Sequence, residues 1–240
     1  MNILITGSNG FIGKNLIKYL QNHSDHIIHT FSKNNNLSEL ENIIKKVDIV
    51  FHFAGINKSK NKVYFEKVNV NLTQKLCDLI SQNSNTILFY ASSIQAELNN
   101  DYGKSKKKGE QICLNLEKKS NNKVYILRLP GIFGKGCKPN YNSVVSTFCY
   151  NIVNKKNLRI IDPNKEIDLL FIEDLCEQLN QLINNFESSN FIKLKDVHKI
   201  SIKNLATIIS NFRNNFYGDY SFEPKNNLEK NLYKTYISFT

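Results

Sequence analysis

Met1-Asn2-Ile3-Leu4-Ile5-Thr6-Gly7-Ser8-Asn9-Gly10-Phe11-Ile12-Gly13 opens the chain. Ile3–Thr6 reads as a buried strand, and an amphipathic helix of about Phe11–Gln21 follows, with Phe11, Ile12, Leu16, Ile17 and Leu20 on one side. Between them lies a Gly-x-x-Gly-x-x-Gly turn. Gly7 permits a tight turn, Gly10 lets the backbone approach a ligand, and Gly13 lets helix and strand pack closely. The segment Gly7, Ser8, Asn9, Gly10, Phe11, Ile12, Gly13 thus offers backbone N–H groups at a helix N-terminus, a socket for the pyrophosphate of a dinucleotide.

Working outward, short apolar runs alternate with helical periodicity, the pattern of βαβ units and a parallel sheet. Strands are expected at His26–Phe31, Asp48–Phe53, Thr86–Ala91 and Val124–Leu129. Helices are expected around Ser38–Lys46 and Val63–Gln82 and from Tyr102 to about Lys119. After Pro130 the regularity loosens. Gly131–Asn142 reads as a loop, followed by a helix at Ser143–Lys155 and strands at Leu158–Ile161 and Ile167–Phe171. A helix from about Glu173 to Phe186, a strand at Phe191–Leu194, a helix at Ser201–Phe216 and a polar tail complete the chain. The expected fold is α/β: a Rossmann-like, doubly wound parallel sheet with a small C-terminal α/β substrate-binding subdomain. It forms a single domain over 1–240, about 1–130 mainly cofactor-binding and about 131–240 mainly substrate-binding.

Composition narrows the class. The chain has 240 residues, 41% of them hydrophobic, enough for one full core, and no run has the length of a membrane span. The first strand starts at residue 2, leaving no room for a secretory leader. Five scattered cysteines without Cys-x-x-Cys spacing suit a reducing cytoplasm, without disulfide framework or zinc site. The net charge of +11 invites a nucleic-acid reading. However, the lysines are spread among asparagines and no arginine stripe interleaves with aromatics, so a solvated basic surface is expected, with no nucleic-acid and no membrane partner.

Tyr102-Gly103-Lys104-Ser105-Lys106 carries the chemistry. At i and i+4 on a helix, Tyr102 and Lys106 share a face, and a nearby ammonium is expected to lower the tyrosine pKa. Tyr102 is then a candidate acid–base and Lys106 its electrostatic partner and a holder of the cofactor ribose. Ser92-Ser93 ends the preceding strand. Ser93 is the expected catalytic hydroxyl, because Ser92 should face away. The alternatives to an enzyme are a cofactor-sensing scaffold, disfavoured by the presence of Tyr102 and Lys106, and an RNA-binding module, disfavoured by the scattered lysines.

Taken in order, Thr6-Gly7-x-x-Gly10-x-x-Gly13, Asp48–Gly55, Asn69–Thr73, Ser92-Ser93, Tyr102-x-x-x-Lys106 and Leu127–Pro130 resemble the extended short-chain dehydrogenases/reductases, the NAD-dependent epimerase/dehydratase family. The resemblance implies catalysis on nucleotide sugars with NAD or NADP. It places Ala54, Gly55, Asn69, Ser92 and Pro130 around the cofactor. Ser92–Ala96, Gly134–Tyr150 and Leu228–Tyr236 are similar to the reductase part of the bifunctional capsular-polysaccharide enzymes of UDP-N-acetyl-L-fucosamine synthesis. Those enzymes carry a cupin-type, metal-binding domain for which these 240 residues leave no room, and no metal is expected here.

NAD-preferring members place an acid after the second strand. Ser32 and Lys33 stand there instead, which suits the 2′-phosphate of NADPH, with NADH as the alternative. A 4,6-dehydratase of this type needs an Asp-Glu pair where Ile94-Gln95 stands. The expected reaction is therefore reduction of a UDP-4-keto-6-deoxy-hexosamine for capsule or O-antigen polysaccharide, and a UDP-sugar 4-epimerase is the runner-up. Gln95, Lys135, Lys138, Asn140, Asn142 and Ser143 are the candidate substrate contacts. The arginine that many members place shortly before Glu173-Asp174 is absent. His52 reads as a core residue, Cys137 as packing, and a homodimer is allowed.

Overall fold

The interior of β1 (Asn2–Thr6) is apolar without alternation because neighbours cover both its faces: Ile3, Leu4 and Ile5 are fully buried. The structure, a computed structural model, describes residues 1–59, 61–83, 85–216 and 222–240. β1 lies inside a five-stranded sheet with β2 (Ile27–Phe31), β3 (Ile49–His52), β4 (Ile87–Ser93) and β5 (Lys123–Leu129). The order is β2-β1-β3-β4-β5 and every pairing is parallel. The order reverses beside β1, so the connections after β1 and β3 diverge at the C-terminal strand ends. That is where doubly wound sheets open a crevice for ligands.

Crossovers run through α1 (Phe11–His23), α2 (Leu37–Ile44), an interrupted helix over 63–80, and α5 (Asp101–Lys119). The interrupted helix consists of α3 (Val63–Phe65), a π-helical stretch over Glu66–Asn71, and α4 (Leu72–Ile80). The sequence predicts one regular helix here. The wider π turn accompanies Asn69, whose buried amide is tied into the neighbouring loop. Strand alternation then builds two cores. Leu4, Val50, Leu88, Tyr90 and Ile126 pack with Leu40, Leu76 and Cys113 from the helices. On the alternate residues, Phe51, Phe89 and Tyr125 sit in register on adjacent strands. Their rings stack at 4.8 and 5.0 Å, and Phe186 continues the stack at 6.3 Å.

The chain divides into two compact units, Met1–Leu129 with Cys176–Leu194, and Pro130–Leu175 with Lys195–Thr240. Residues 176–194, expected in the second half, therefore belong with the first. The second unit holds a sheet of β6 (Gly131–Phe133), β7 (Glu166–Phe171) and β8 (His198–Ser201), parallel then antiparallel. Its helices are α6 (Val144–Val153), α8 (Ile202–Phe216) and α9 (Asn227–Ile237), and α7 (Ile172–Asn184) runs across the boundary.

Four expectations need correction here. Leu158–Ile161 is not a strand, for Ile160 and Ile161 are exposed and pair with nothing that would extend them. Phe191–Leu194 contributes only one bridge, Phe191 to Ile126. β6 lies inside the expected loop, and part of the expected tail is α9. That helix buries Leu228, Leu232 and Tyr236, an i, i+4, i+8 stripe hidden among polar residues. Residues 217–221 of that tail lie outside the described residues.

His52 is buried between two threonines, its Nδ1 2.6 Å from Thr6 Oγ1 and its Nε2 2.9 Å from Thr73 Oγ1. Burial, reinforced by the Lys106 charge, pushes its pKa down to about 3. An unfolded chain takes up this proton near pH 6.5, so the unfolded state binds more protons between pH 6.5 and 3 and stability falls with pH through that window. Urea midpoints of the protein and of His52→Gln, compared at pH 7 and 4.5, should show the acid loss reduced in the variant by on the order of 2–3 kcal/mol. Parallel losses in both would remove His52 from the account.

Candidate active site

The glycine turn is fixed by contacts no side chain could share. Gly7 has φ +67°, and a Cβ on it would lie 2.6 Å from Ala54 N. A Cβ on Gly13 would lie 2.5 Å from Gly7 O. The β1 turn is therefore pressed against the loop after β3 on one side and against α1 on the other, and Ala54 N also donates to Thr6 Oγ1 at 3.3 Å. Ser8 is buried and gives both its N–H and its hydroxyl to Phe31 O at 3.3 Å, tying the turn to the end of β2. α1 has Gly10 as N-cap, no side chain capping it and no acid in its first turn. Its first turn lies beside exposed Asn9 and includes half-buried Phe11 and Ile12, and an uncapped helix N-terminus is suited to an anion.

At the end of β4, strand and helix bring the chemistry together. α5 starts one residue before Tyr102, with Asn100 Oδ1 accepting from Gly103 N at 2.7 Å as its cap. Gly103 lets this helix touch the 3₁₀ turn Ile94–Glu97, since a Cβ there would lie 2.1 Å from Gln95 O. Ser105 Oγ donates to Tyr102 O at 2.7 Å and accepts from Asn69 Nδ2 at 2.9 Å. Lys106 is buried, its Nζ 4.3 Å from the Tyr90 ring centroid and 3.9 Å from where a Gly55 Cβ would stand. Gly109 opens the notch for Tyr90, whose hydroxyl would lie 2.0 Å from a Cβ on that glycine.

The charges do not fall as expected. Burial raises the Tyr102 pKa, and the neighbouring Ser93 hydroxyl, not Lys106, pulls the other way. Burial pushes Lys106 down to about 8, opposed by Cys113 and Glu110. The expectation that Lys106 lowers Tyr102 is thus corrected: the ammonium rests on Tyr90, and Tyr102 is a neutral phenol at neutral pH.

Ser93 lies beside Tyr102 and accepts from Gln95 N at 3.2 Å. Ser92, expected among the cofactor contacts, instead donates its hydroxyl to Glu110 Oε1 at 2.6 Å. Asn69 frames the site from behind, its amide engaged with Ile56 N, Ile56 O and Ser105 Oγ. After β2, Ser32 is buried and bonded to Asn35 Oδ1 through N and Oγ, while Lys33 is exposed. The first acid beyond, Glu39, closes the capping box of α2. Pro130 ends β5. Lys135, Lys138, Asn140 and Asn142 are exposed in the second unit. Ser143 Oγ there accepts from Ser146 N as the α6 N-cap, so it is engaged in holding the helix. Glu110 and Arg128 were missed: at residues 92, 110 and 128 their cluster has no local spacing to betray it.

Among the described residues no group of three or more His, Cys, Asp or Glu could hold a metal ion, and no helix is long and apolar enough to cross a membrane.

A glycine turn after the first parallel strand and a Ser, Tyr, Lys set at the fourth define a nucleotide-linked class, and comparison agrees. Residues 3–192 match the NAD dependent epimerase/dehydratase family, and the chain belongs to it. Over 242 residues it is 36% identical to a UDP-2-acetamido-2,6-beta-L-arabino-hexul-4-ose reductase of Pseudomonas aeruginosa, covering all of this chain and 65% of that one. It matches the crystal structure of the capsular polysaccharide assembling protein CapF from Staphylococcus aureus at TM-score 0.88 and 34% identity, again over 100% and 65% of the two chains. The chain thus spans 65% of the length of these relatives, less than two thirds. A UDP-glucuronic acid 4-epimerase from Bacillus cereus, in complex with NAD, shares the fold at TM-score 0.86 and 17% identity, over 100% of this chain and 98% of that one.

Gly7→Ala tests the turn. The left-handed φ and the backbone contact together should cost at least about 2 kcal/mol, a melting temperature lower by roughly 4–8 °C. An unchanged melting curve would mean that the turn relaxes freely.

Proposed function

We propose that the chain is an oxidoreductase that reduces the 4-keto group of a UDP-4-keto-6-deoxy-hexosamine with NADPH, in nucleotide-sugar synthesis for capsule or O-antigen polysaccharide. One observation carries the reading: Ser93 and a protonated Tyr102 lie together at the end of β4, and buried Lys106 stands one turn further along the same helix. Burial keeps the Tyr102 phenol protonated at neutral pH, so it carries the proton that a forming alkoxide takes up. The identity with the Pseudomonas aeruginosa reductase supports the same direction of reaction.

The residues present fit a dinucleotide. Gly7, Gly10 and Gly13 let the turn close on its own backbone and on the Ala54 loop with no side chain between, α1 has no side-chain cap, and Lys106 Nζ reaches the Gly55 loop. Gly7–Gly13 would hold the pyrophosphate, Ala54 and Gly55 would lie under it, and Lys106 would hold the nicotinamide ribose. Exposed Lys33, together with the use of Glu39 in the α2 cap, supports NADPH over NADH. A bound reduced nicotinamide supplies the hydride. Tyr102 gives its hydroxyl proton to the former ketone oxygen, and Ser93 holds that oxygen beside it. We assign the diphosphate and uracil to the 135–143 loop, with Lys135 and Lys138 as its cations and Asn140 and Asn142 as neutral donors.

Loss of reduced-nicotinamide absorbance against a panel of UDP-4-keto sugars and UDP-sugars tests the reading. Stoichiometric oxidation with a keto sugar is expected. Interconversion of UDP-sugars without net oxidation would establish a 4-epimerase instead. Tyr102→Phe should lower turnover by about 10²–10⁴-fold while leaving NADPH affinity in place. Retained turnover would remove Tyr102 as the proton donor.

A further inference from the structure

We propose that Glu110 is a positioning residue for the Ser93, Tyr102 and Lys106 set, acting through Arg128 and Ser92; this rests on the reductase reading of that set. Glu110 stands four residues beyond Lys106 and eight beyond Tyr102 on α5, on the helix face that meets the sheet. Among the described residues it is the one buried carboxylate, and Lys106 is the one buried lysine or arginine.

A buried carboxylate is kept ionised only by close partners. Glu110 Oε1 accepts from Ser92 Oγ at 2.6 Å and from Arg128 Nε at 2.8 Å, and its Oε2 accepts from Arg128 Nη2 at 2.8 Å. The guanidinium therefore grips it with two parallel bonds. Arg128 Nη1 also pairs with Glu97, in the 3₁₀ turn that follows Ser93, and the Phe191 ring covers the guanidinium at 4.7 Å. Lys107 Nζ approaches from the outer side, 3.8 Å from Glu110 Oε2 and 3.3 Å from Glu97. One carboxylate thus links α5, which carries Tyr102 and Lys106, to β4, to β5 and to the turn holding Gln95.

Two consequences follow for the candidate catalytic groups. Ser92 and Arg128 are register partners on β4 and β5, so both arms of the clamp act at one rung of the sheet. With Ser92 pinned onto Glu110, the strand's rotation is set at its last residues. Ser93, one residue on, is left to present its hydroxyl beside Tyr102. The second consequence is electrostatic. The groups facing Lys106 are Tyr90, His52, Cys113 and Glu110, and with His52 neutral and Cys113 a buried thiol, Glu110 is the negative charge that favours the ammonium.

The experiment compares Ser92→Ala and Glu110→Gln with the parent protein in three readouts. These are kcat and KM for a UDP-4-keto-6-deoxy sugar with NADPH, melting temperature, and the titration of Lys106 followed by NMR of labelled lysine side chains. Ser92→Ala is neutral and removes one hydroxyl, so it decides the positioning if Glu110→Gln does not fold. Each variant should lower kcat by about 10–100-fold, with KM within about threefold of the parent. Glu110→Gln should also move the Lys106 titration to lower pH. Lower melting temperatures with kcat and the Lys106 titration unchanged would overturn the proposal and leave Glu110 a purely structural residue. Tyr102→Phe run alongside separates the two readings. If it keeps turnover, the catalytic assignment fails; if it loses turnover while Ser92→Ala keeps it, only the positioning role fails.

Discussion

Burial takes the ammonium of Lys106 out of water, and much of the surrounding structure serves to hold it there. Lysine burial alone would cost several kcal/mol, and the lowered pKa of about 8 is the trace of that penalty. The ammonium stays charged at neutral pH because the Tyr90 ring faces it and the Glu110 carboxylate lies one turn away. Its charge in turn helps keep His52 neutral, so the imidazole can bridge Thr6 and Thr73 without bringing a second cation into the core. Thr6 then meets the backbone of Ala54, which closes against Gly7. The charge of the lysine thus acts on His52, from which hydrogen bonds and close backbone contacts run to the glycine turn.

The same constraint explains the placement of small residues. Gly55 stands where a Cβ would crowd Asn69 Oδ1 at 3.2 Å, Gly103 where α5 meets the turn after β4, and Gly109 where Tyr90 enters the helix face. Glycine inside a helix costs about 1 kcal/mol relative to alanine, and α5 carries two of them. Both serve to bring the helix close to the elements on which Tyr102 and Lys106 depend.

The parts legible in the sequence were those with local periodicity. The glycine turn, the parallel strands and the Tyr102, Lys106 pair are written in spacings of three, four or alternate residues, and the stretch that matches the family spans them. The preference for Ser93 over Ser92 rested on the alternation of a strand, and the structure places the Ser92 hydroxyl on Glu110. What remained hidden was joined only by packing. Ser92, Glu110 and Arg128 are each 18 residues apart, on a strand, a helix and the next strand, with no motif between them. The expected lowering of the Tyr102 pKa failed for a related reason: helical spacing brings two side chains to one face, but the third residue, Tyr90, decides where the ammonium rests. α9 escaped notice because polar residues dilute its stripe of Leu228, Leu232 and Tyr236.

The central claim is that the set at the end of β4 completes the reduction of a sugar ketone, and it is tested most directly by following the label. The protein is incubated with NADPH deuterated at the nicotinamide C4, on each face in turn, and a UDP-4-keto-6-deoxy-hexosamine, and the product is examined by NMR. The account predicts one deuterium at sugar C4, delivered from one of the two labelled faces and giving a single C4 configuration. A product without deuterium at C4 from either labelled cofactor, or label returned to the cofactor with no net reduction, would contradict it.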